Sequence, residues 1–168
     1  MCEFNLTLRP IAGEDLPVLL TWQYAPPYDI YSLGDGRTDP TVLAEAADYF
    51  LDPVYNFYSV VDADSGELTA VVSFGLDGQV SGGDYSQEAL DIGMAVCPDL
   101  TGRGLGSQFA GAAITFAWHT FPPPRLRVTI ADFNQRARRV WEKHGFRPGQ
   151  SFVSGANNLA FTIFTREP

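Results

Sequence analysis

Cysteine is scarce, with only Cys2 and Cys97 in 168 residues. Two thiols so far apart exclude a disulfide scaffold and a Cys-rich zinc site, and they fit a reducing, cytoplasmic setting. Long apolar runs are lacking too, since no stretch approaches the roughly 18 residues that a membrane span needs. The opening Met1-Cys2-Glu3-Phe4-Asn5-Leu6 has neither the basic n-region nor the apolar h-region of a secretory signal. Positive charge is in short supply: 11 Lys and Arg stand against 20 Asp and Glu, a net −9. That balance argues against a nucleic-acid surface, which needs basic patches. What is present, 45% apolar and 18% charged residues, is a globular composition. The length fits one compact domain over residues 1–168.

The charges are unevenly placed. Residues 1–101 hold two Arg and 17 acids, whereas residues 102–168 hold nine basic residues and three acids. Such asymmetry points to two partners of opposite sign, a polyanion on the basic side and a cationic or amine-bearing molecule on the other. The plainer alternative is that the acids solubilise the N-terminal part.

The basic part begins at Val96-Cys97-Pro98-Asp99-Leu100-Thr101-Gly102-Arg103-Gly104-Leu105-Gly106-Ser107. Here a β-rich segment stops at a proline, glycine occupies alternate positions, and an apolar helix follows. Glycines let the backbone come close to a ligand and take positive φ. The helix start adds a partial positive charge, so the free N–H groups of such a loop suit a phosphate.

Periodicity and turn residues predict strands over 3–11, 55–63, 68–75, 89–96, 126–131, 146–153 and 158–165. They predict helices over 14–23, 41–51, 107–120 and 134–144, with Thr41 as an N-cap. Asp64-Ser65-Gly66 reads as a hairpin turn, and 25–39 and 77–87 as loops. The order implies an α+β fold, a single-domain mixed β-sheet with parallel pairing at its centre and helices on both faces.

This order and two motifs resemble the GCN5-related N-acetyltransferase superfamily. The first motif is a strand ending in Val-x-Pro, then [Gln/Arg]-x-x-Gly-x-[Gly/Ala] and a helix; here it is Val96-Cys97-Pro98 followed by Thr101-Gly102-Arg103-Gly104-Leu105-Gly106. The second, Asn-x-x-Ala-x-x-x-Tyr-x-x-x-Gly-Phe, is matched from Asn134 through Ala137 and Trp141 to Gly145-Phe146. The resemblance implies an acyl-CoA N-acyltransferase-like fold and acetyl-CoA as co-substrate, with no metal. It implies that Thr101, Gly102, Arg103, Gly104, Leu105, Gly106 and Ser107 hold the pyrophosphate. Met94, Ala95 and Val96 would pair with the pantetheine arm like an added strand, and an amide near Met94 or Ala95 would polarise the thioester carbonyl. Asn134 falls at the position that touches the pantetheine, and Arg138 and Trp141 lie on the cofactor side; Arg136, Arg139 and Lys143 could also meet phosphates, or simply form a solvated helix face. Thr101 stands where Gln or Arg is usual, though its hydroxyl can still meet a phosphate. Trp141 stands where many members carry a Tyr that protonates the departing thiolate, and an indole N–H has no proton to give at neutral pH.

A dinucleotide-binding fold is the rival for the loop. Against it, the third glycine is missing, with Ser107 or Phe109 at its place, and five residues separate Val96 from Gly102. Only 36 residues follow Asp132, too few for a doubly wound sheet. No Gly-Lys-[Ser/Thr] is present for a Walker loop.

Direct transfer needs the acceptor amine neutral, so a base must take a proton. Asp91 ranks first, in register with the strand leading to the thioester, then Glu88, with Asp84 nearby. The loop Trp22-Gln23-Tyr24-Ala25-Pro26-Pro27-Tyr28-Asp29-Ile30-Tyr31 offers an aromatic wall suited to amines, or else a satellite hydrophobic cluster. Tyr28 or Tyr31 could replace the missing phenol. His119 and His144 near helix C-termini read as dipole caps, and Cys97 as a small strand-end residue.

The expected activity is acetyl transfer to a primary amine of a small molecule in a ternary complex. A protein or peptide N-terminus or lysine is the second choice of acceptor, and a non-catalytic acyl-CoA-binding domain the third reading. Neither nucleic acid nor membrane is an expected partner, and a homodimer is one candidate assembly.

Overall fold

The computed structural model describes residues 3–168. Cys2 and the first residues of the signal-peptide argument therefore lie outside the described residues. Seven strands form a sheet in the order β1-β2-β3-β4-β5-β7-β6. They are β1 (Leu6–Pro10), β2 (Phe57–Asp62), β3 (Leu68–Phe74), β4 (Leu90–Val96), β5 (Leu126–Ala131), β6 (Arg147–Val153) and β7 (Ala160–Arg166). The helices are α1 (Leu16–Leu19), α2 (Pro40–Phe50), α3 (Gly106–Thr120) and α4 (Gln135–Lys143). The mixed α+β sheet expected from the sequence is what forms. Its parallel step is β4 with β5, and that ladder covers two positions, Leu90↔Leu126 and Asp91↔Arg127.

Contacts divide the chain into two units, with the backbone passing between them inside β3, inside β4 and at the start of α3. The first unit runs to Val72 and takes in Met94–Leu105. Its core joins Leu16, Leu19, Leu20 and Trp22 to Ala46, Phe50, Phe57 and Val71. The predicted helix over 14–23 is shorter than expected, a 3-10 turn Gly13–Asp15 and then α1. The Thr21 hydroxyl donates to the Val18 carbonyl at 2.6 Å, a side-chain bond that competes with helix propagation. The N-cap of α2 is Asp39 rather than Thr41: Asp39 accepts from the Val42 amide and Pro40 fills the first helical position, where a missing N–H costs nothing.

Buried Asp15 ties this unit together. Its carboxylate takes two bonds from Arg9 at 2.7 and 2.8 Å, one from the Ser59 hydroxyl at 2.8 Å and one from the Ala12 amide. Burial pushes its pKa up, but the bonds from Arg9, Ala12 and Ser59 outweigh it and leave it below the usual carboxylate range. A depressed folded pKa adds stability above the unfolded value of about 3.9 and loses it as pH falls through the folded value. Asp15→Asn is therefore expected to melt below the wild type at neutral pH, with the gap closing in acid. Melting curves across the acid range check this, and a gap independent of pH would contradict it.

The second unit comprises Ser73–Gly93 and Gly106–Pro168. Small residues Ala110, Ala113 and Ala117 are fully buried on α3, while Phe109, Val128, Ile130, Ile163 and Phe164 fill the core. The predicted loop 77–87 is pinned rather than loose. The Tyr85 hydroxyl accepts from the Val80 amide and bonds the Thr129 hydroxyl at 2.9 Å, and the Asp84 amide donates to Gln150.

Candidate active site

The glycine loop has the geometry its sequence implies. After β4, a 3-10 turn Pro98–Leu100 leads into Thr101, and Gly102 and Gly104 adopt φ of +70° and +75°. A Cβ on Gly104 would meet nothing within 4 Å, so its side is open. The amides of residues 102–107 donate to no described residue. They run into the start of α3, 15 residues long, whose own first N–H groups have no intrahelical partner. A row of donors at a long helix start fits a diphosphate.

Thr101 contributes differently from what was expected. Its hydroxyl donates to the Pro98 carbonyl at 2.8 Å, so the proton a phosphate would need is spent on the turn. Arg103 is exposed, with Nη1 3.4 Å from the Asp99 carbonyl. Leu105 is buried.

Met94, Ala95 and Val96 end β4, and the Cys97 amide donates to Thr69 at 2.8 Å. The Val96 carbonyl accepts from the Tyr24 phenol at 2.6 Å. The sequence placed Tyr24 only in an aromatic wall and gave it no role of its own, because nothing local marks a contact across 72 positions. Burial first, then the neighbouring Cys97, drives the Tyr24 pKa far up, so this phenol keeps its proton and acts as a donor. Burial also raises the Cys97 thiol, which opposes any nucleophilic role. Tyr28 and Tyr31 are half-buried in the 3-10 turn Tyr28–Tyr31.

The residue ranked first as base sits in a buried ion pair. Asp91 Oδ1 receives Arg127 Nε at 2.6 Å, and Oδ2 receives Arg127 Nη2 at 2.8 Å and Gln79 at 2.9 Å. The Asp91 and Arg127 side chains are 5% and 4% exposed. Arg127 also donates to the Gln87 carbonyl and stacks on Tyr85 at 4.8 Å. Three donors thus occupy both oxygens of Asp91, and its side chain is buried, so it is held in an ion pair rather than presented to an acceptor amine. The Asp84 pKa is lowered by hydrogen bonds from Ser86, which makes it a weaker base. Glu88 is exposed.

On α4 the picture also sharpens. Asn134 is the N-cap, its side-chain oxygen accepting from the Ala137 amide at 3.1 Å. Arg138 pairs with Glu142 one turn on and lies over the Phe164 ring. Trp141 is a core residue, packed edge-to-face on Phe146 at 5.0 Å, so it fills the interior rather than offering a cofactor contact. His144 does more than cap: its Nε2 lies 3.0 Å from both the Ser107 hydroxyl and the Ser107 carbonyl. Ser107 and His144 stand 37 positions apart, beyond any local spacing signal.

The family model for the acetyltransferase (GNAT) domain matches residues 5–147. The chain belongs to that family. Solved structures agree on the fold of this GNAT acetyltransferase. An acetyltransferase (GNAT family) from Bacillus anthracis is similar at TM-score 0.71 and 15% identity, over 99% of this chain and 96% of that one. Spermidine N-acetyltransferase from Vibrio cholerae, in complex with CoA and spermine, is similar at TM-score 0.67 and 15% identity, over 96% and 95%. A dodecameric structure of that Vibrio cholerae enzyme gives TM-score 0.66 at 16% identity, over 96% and 93%. No curated protein sequence matches significantly. Among the described residues, no helix is long and apolar enough to cross a membrane.

Proposed function

We propose that this GNAT acetyltransferase moves an acetyl group from acetyl-CoA to a primary amine of a small cationic molecule, by direct transfer in a ternary complex. The observation that carries the cofactor half is the open run of amide donors over residues 102–107 at the start of α3. The acceptor half is supported by the excess of acids in residues 1–101 and by a similar fold that holds CoA and spermine. The reading takes residues 1–168 as one catalytic domain. It leaves a homo-oligomer as an assembly to be measured.

Acetyl-CoA, when bound, supplies an activated thioester. The amides of Gly102, Arg103, Gly104, Leu105, Gly106 and Ser107 hold the pyrophosphate, with the Arg103 guanidinium beside them. Met94 and Ala95 offer backbone groups to the pantetheine, and one of these amides donates to the carbonyl oxygen where negative charge develops. Val96 is held for the same task by Tyr24. Asn134, the N-cap of α4, matches the family position that touches the pantetheine. Glu88 takes the proton of the acceptor ammonium, and Tyr28 or Tyr31 returns one to the leaving sulfur.

The test is thiol release from acetyl-CoA with a panel of amines that includes spermine, spermidine, a lysine peptide and a free peptide N-terminus. Turnover confined to the small amines is the expected result; turnover on the peptides alone would overturn the acceptor class. In the same assay, Tyr28→Phe or Tyr31→Phe is expected to lower kcat by about a hundredfold if its phenol is the acid. Melting temperatures are expected to stay near the wild type. Unchanged rates in both variants would remove the tyrosine acid.

A further inference from the structure

The α4 helix rides on the first turn of α3. A Cβ on Gly106 would lie 3.1 Å from Val140, and one on Gly111 would lie 3.4 Å from His144 Cε1. Gly111, one turn beyond Ser107, thus leaves room for the His144 ring to come close to α3. The ring then reaches Ser107 twice, with Nε2 at 3.0 Å from the carbonyl and 3.0 Å from the hydroxyl.

The chemistry of these two contacts is asymmetric. A carbonyl oxygen can only accept, so Nε2 carries the proton. The Ser107 hydroxyl faces that same N–H and can only accept from it. Its own proton is therefore turned away from the imidazole, and no other described residue accepts it. We infer that His144 is a positioning residue for acetyl-CoA: it fixes the Ser107 hydroxyl as a donor to the pyrophosphate. This rests on the reading of residues 102–107 given above. It adds a side-chain donor to a row of backbone amides and assigns its aim to a residue from another helix.

The experiment is calorimetric titration of acetyl-CoA into the wild type, Ser107→Ala, His144→Leu, the double variant and His144→Gln, with thermal melts alongside. Loss of one hydrogen bond to a charged ligand group corresponds to about a ten- to hundredfold rise in Kd. That rise is expected for Ser107→Ala and for His144→Leu. The double variant is expected to bind no worse than either single one, since both remove the same donor. His144→Gln, whose amide N–H reaches a similar distance, is expected to stay within about twofold of the wild type. A purely structural role would neither vanish in the Ser107→Ala background nor be rescued by glutamine. Wild-type affinity in His144→Leu, or a double variant showing the product of both single effects, would overturn the inference. If His144→Leu does not fold, His144→Asn, too short to reach Ser107, takes its place in the cycle. Failure of the wild type to bind acetyl-CoA would instead overturn the pyrophosphate site, and this inference with it.

Discussion

Asp91→Ala is expected to lower the unfolding free energy by about 3–5 kcal/mol, the range for removing one member of a buried ion pair. The variant leaves the Arg127 guanidinium, 4% exposed, with no buried carboxylate bonded to it among the described residues, keeping the Gln87 carbonyl and the Tyr85 ring as contacts. Against a total stability of about 5–15 kcal/mol, that is a large share of what keeps the chain folded. Urea unfolding followed by tryptophan fluorescence measures it. The paired change Asp91→Leu with Arg127→Met removes both charges together and is expected to recover most of the loss, because the desolvation penalty goes with the attraction. The comparison separates two roles. A catalytic base can be replaced at little cost in stability, with a rate loss of about a hundred- to ten-thousandfold. If Asp91→Ala melts like the wild type while turnover collapses, Asp91 is the base after all.

Gly104→Ala is expected to weaken acetyl-CoA binding by about tenfold or more, while the melting temperature moves by only a few degrees. Space is not the reason, since a Cβ there meets nothing within 4 Å. The reason is φ of +75°, which an L side chain resists by about 1–2 kcal/mol. Relief of that strain rotates the peptide planes on either side and re-aims the amides of the row. Gly66→Ala is the matched control: φ there is +77°, nothing lies within 4 Å, and the residue turns the β2–β3 hairpin. Equal loss of stability with unequal loss of binding is the expected pattern. Equal binding in both variants would mean that the row of amides holds no ligand.

Why some of this was legible in the sequence and some was not follows from the range of each signal. The glycine loop could be read because its conformational demand is local, and Gly102 and Gly104 take the backbone that alternate glycines announce. The sheet and three of the longer helices follow apolar periodicity, which is also local. Helix ends were less exact where a side chain chose the boundary, as Asp39 did for α2 and Thr21 did after α1. What sequence could not give were pairings across the fold. Asp91 looked like a base because a carboxylate near a thioester strand is a sound candidate until its neighbour is known. That neighbour is Arg127, in register on β5, 36 residues away. Tyr24 and His144 escaped for the same reason: their partners, Val96 and Ser107, become neighbours only through tertiary packing.

One consequence concerns the short ladder between β4 and β5. Its second rung, Asp91↔Arg127, is also where the buried ion pair crosses from strand to strand. A ladder of two paired positions supplies few backbone bonds of its own, so the side chains on it matter more to how these strands are joined. A buried ion pair, expensive to desolvate, thus supplements a strand pairing that the backbone makes at only two positions.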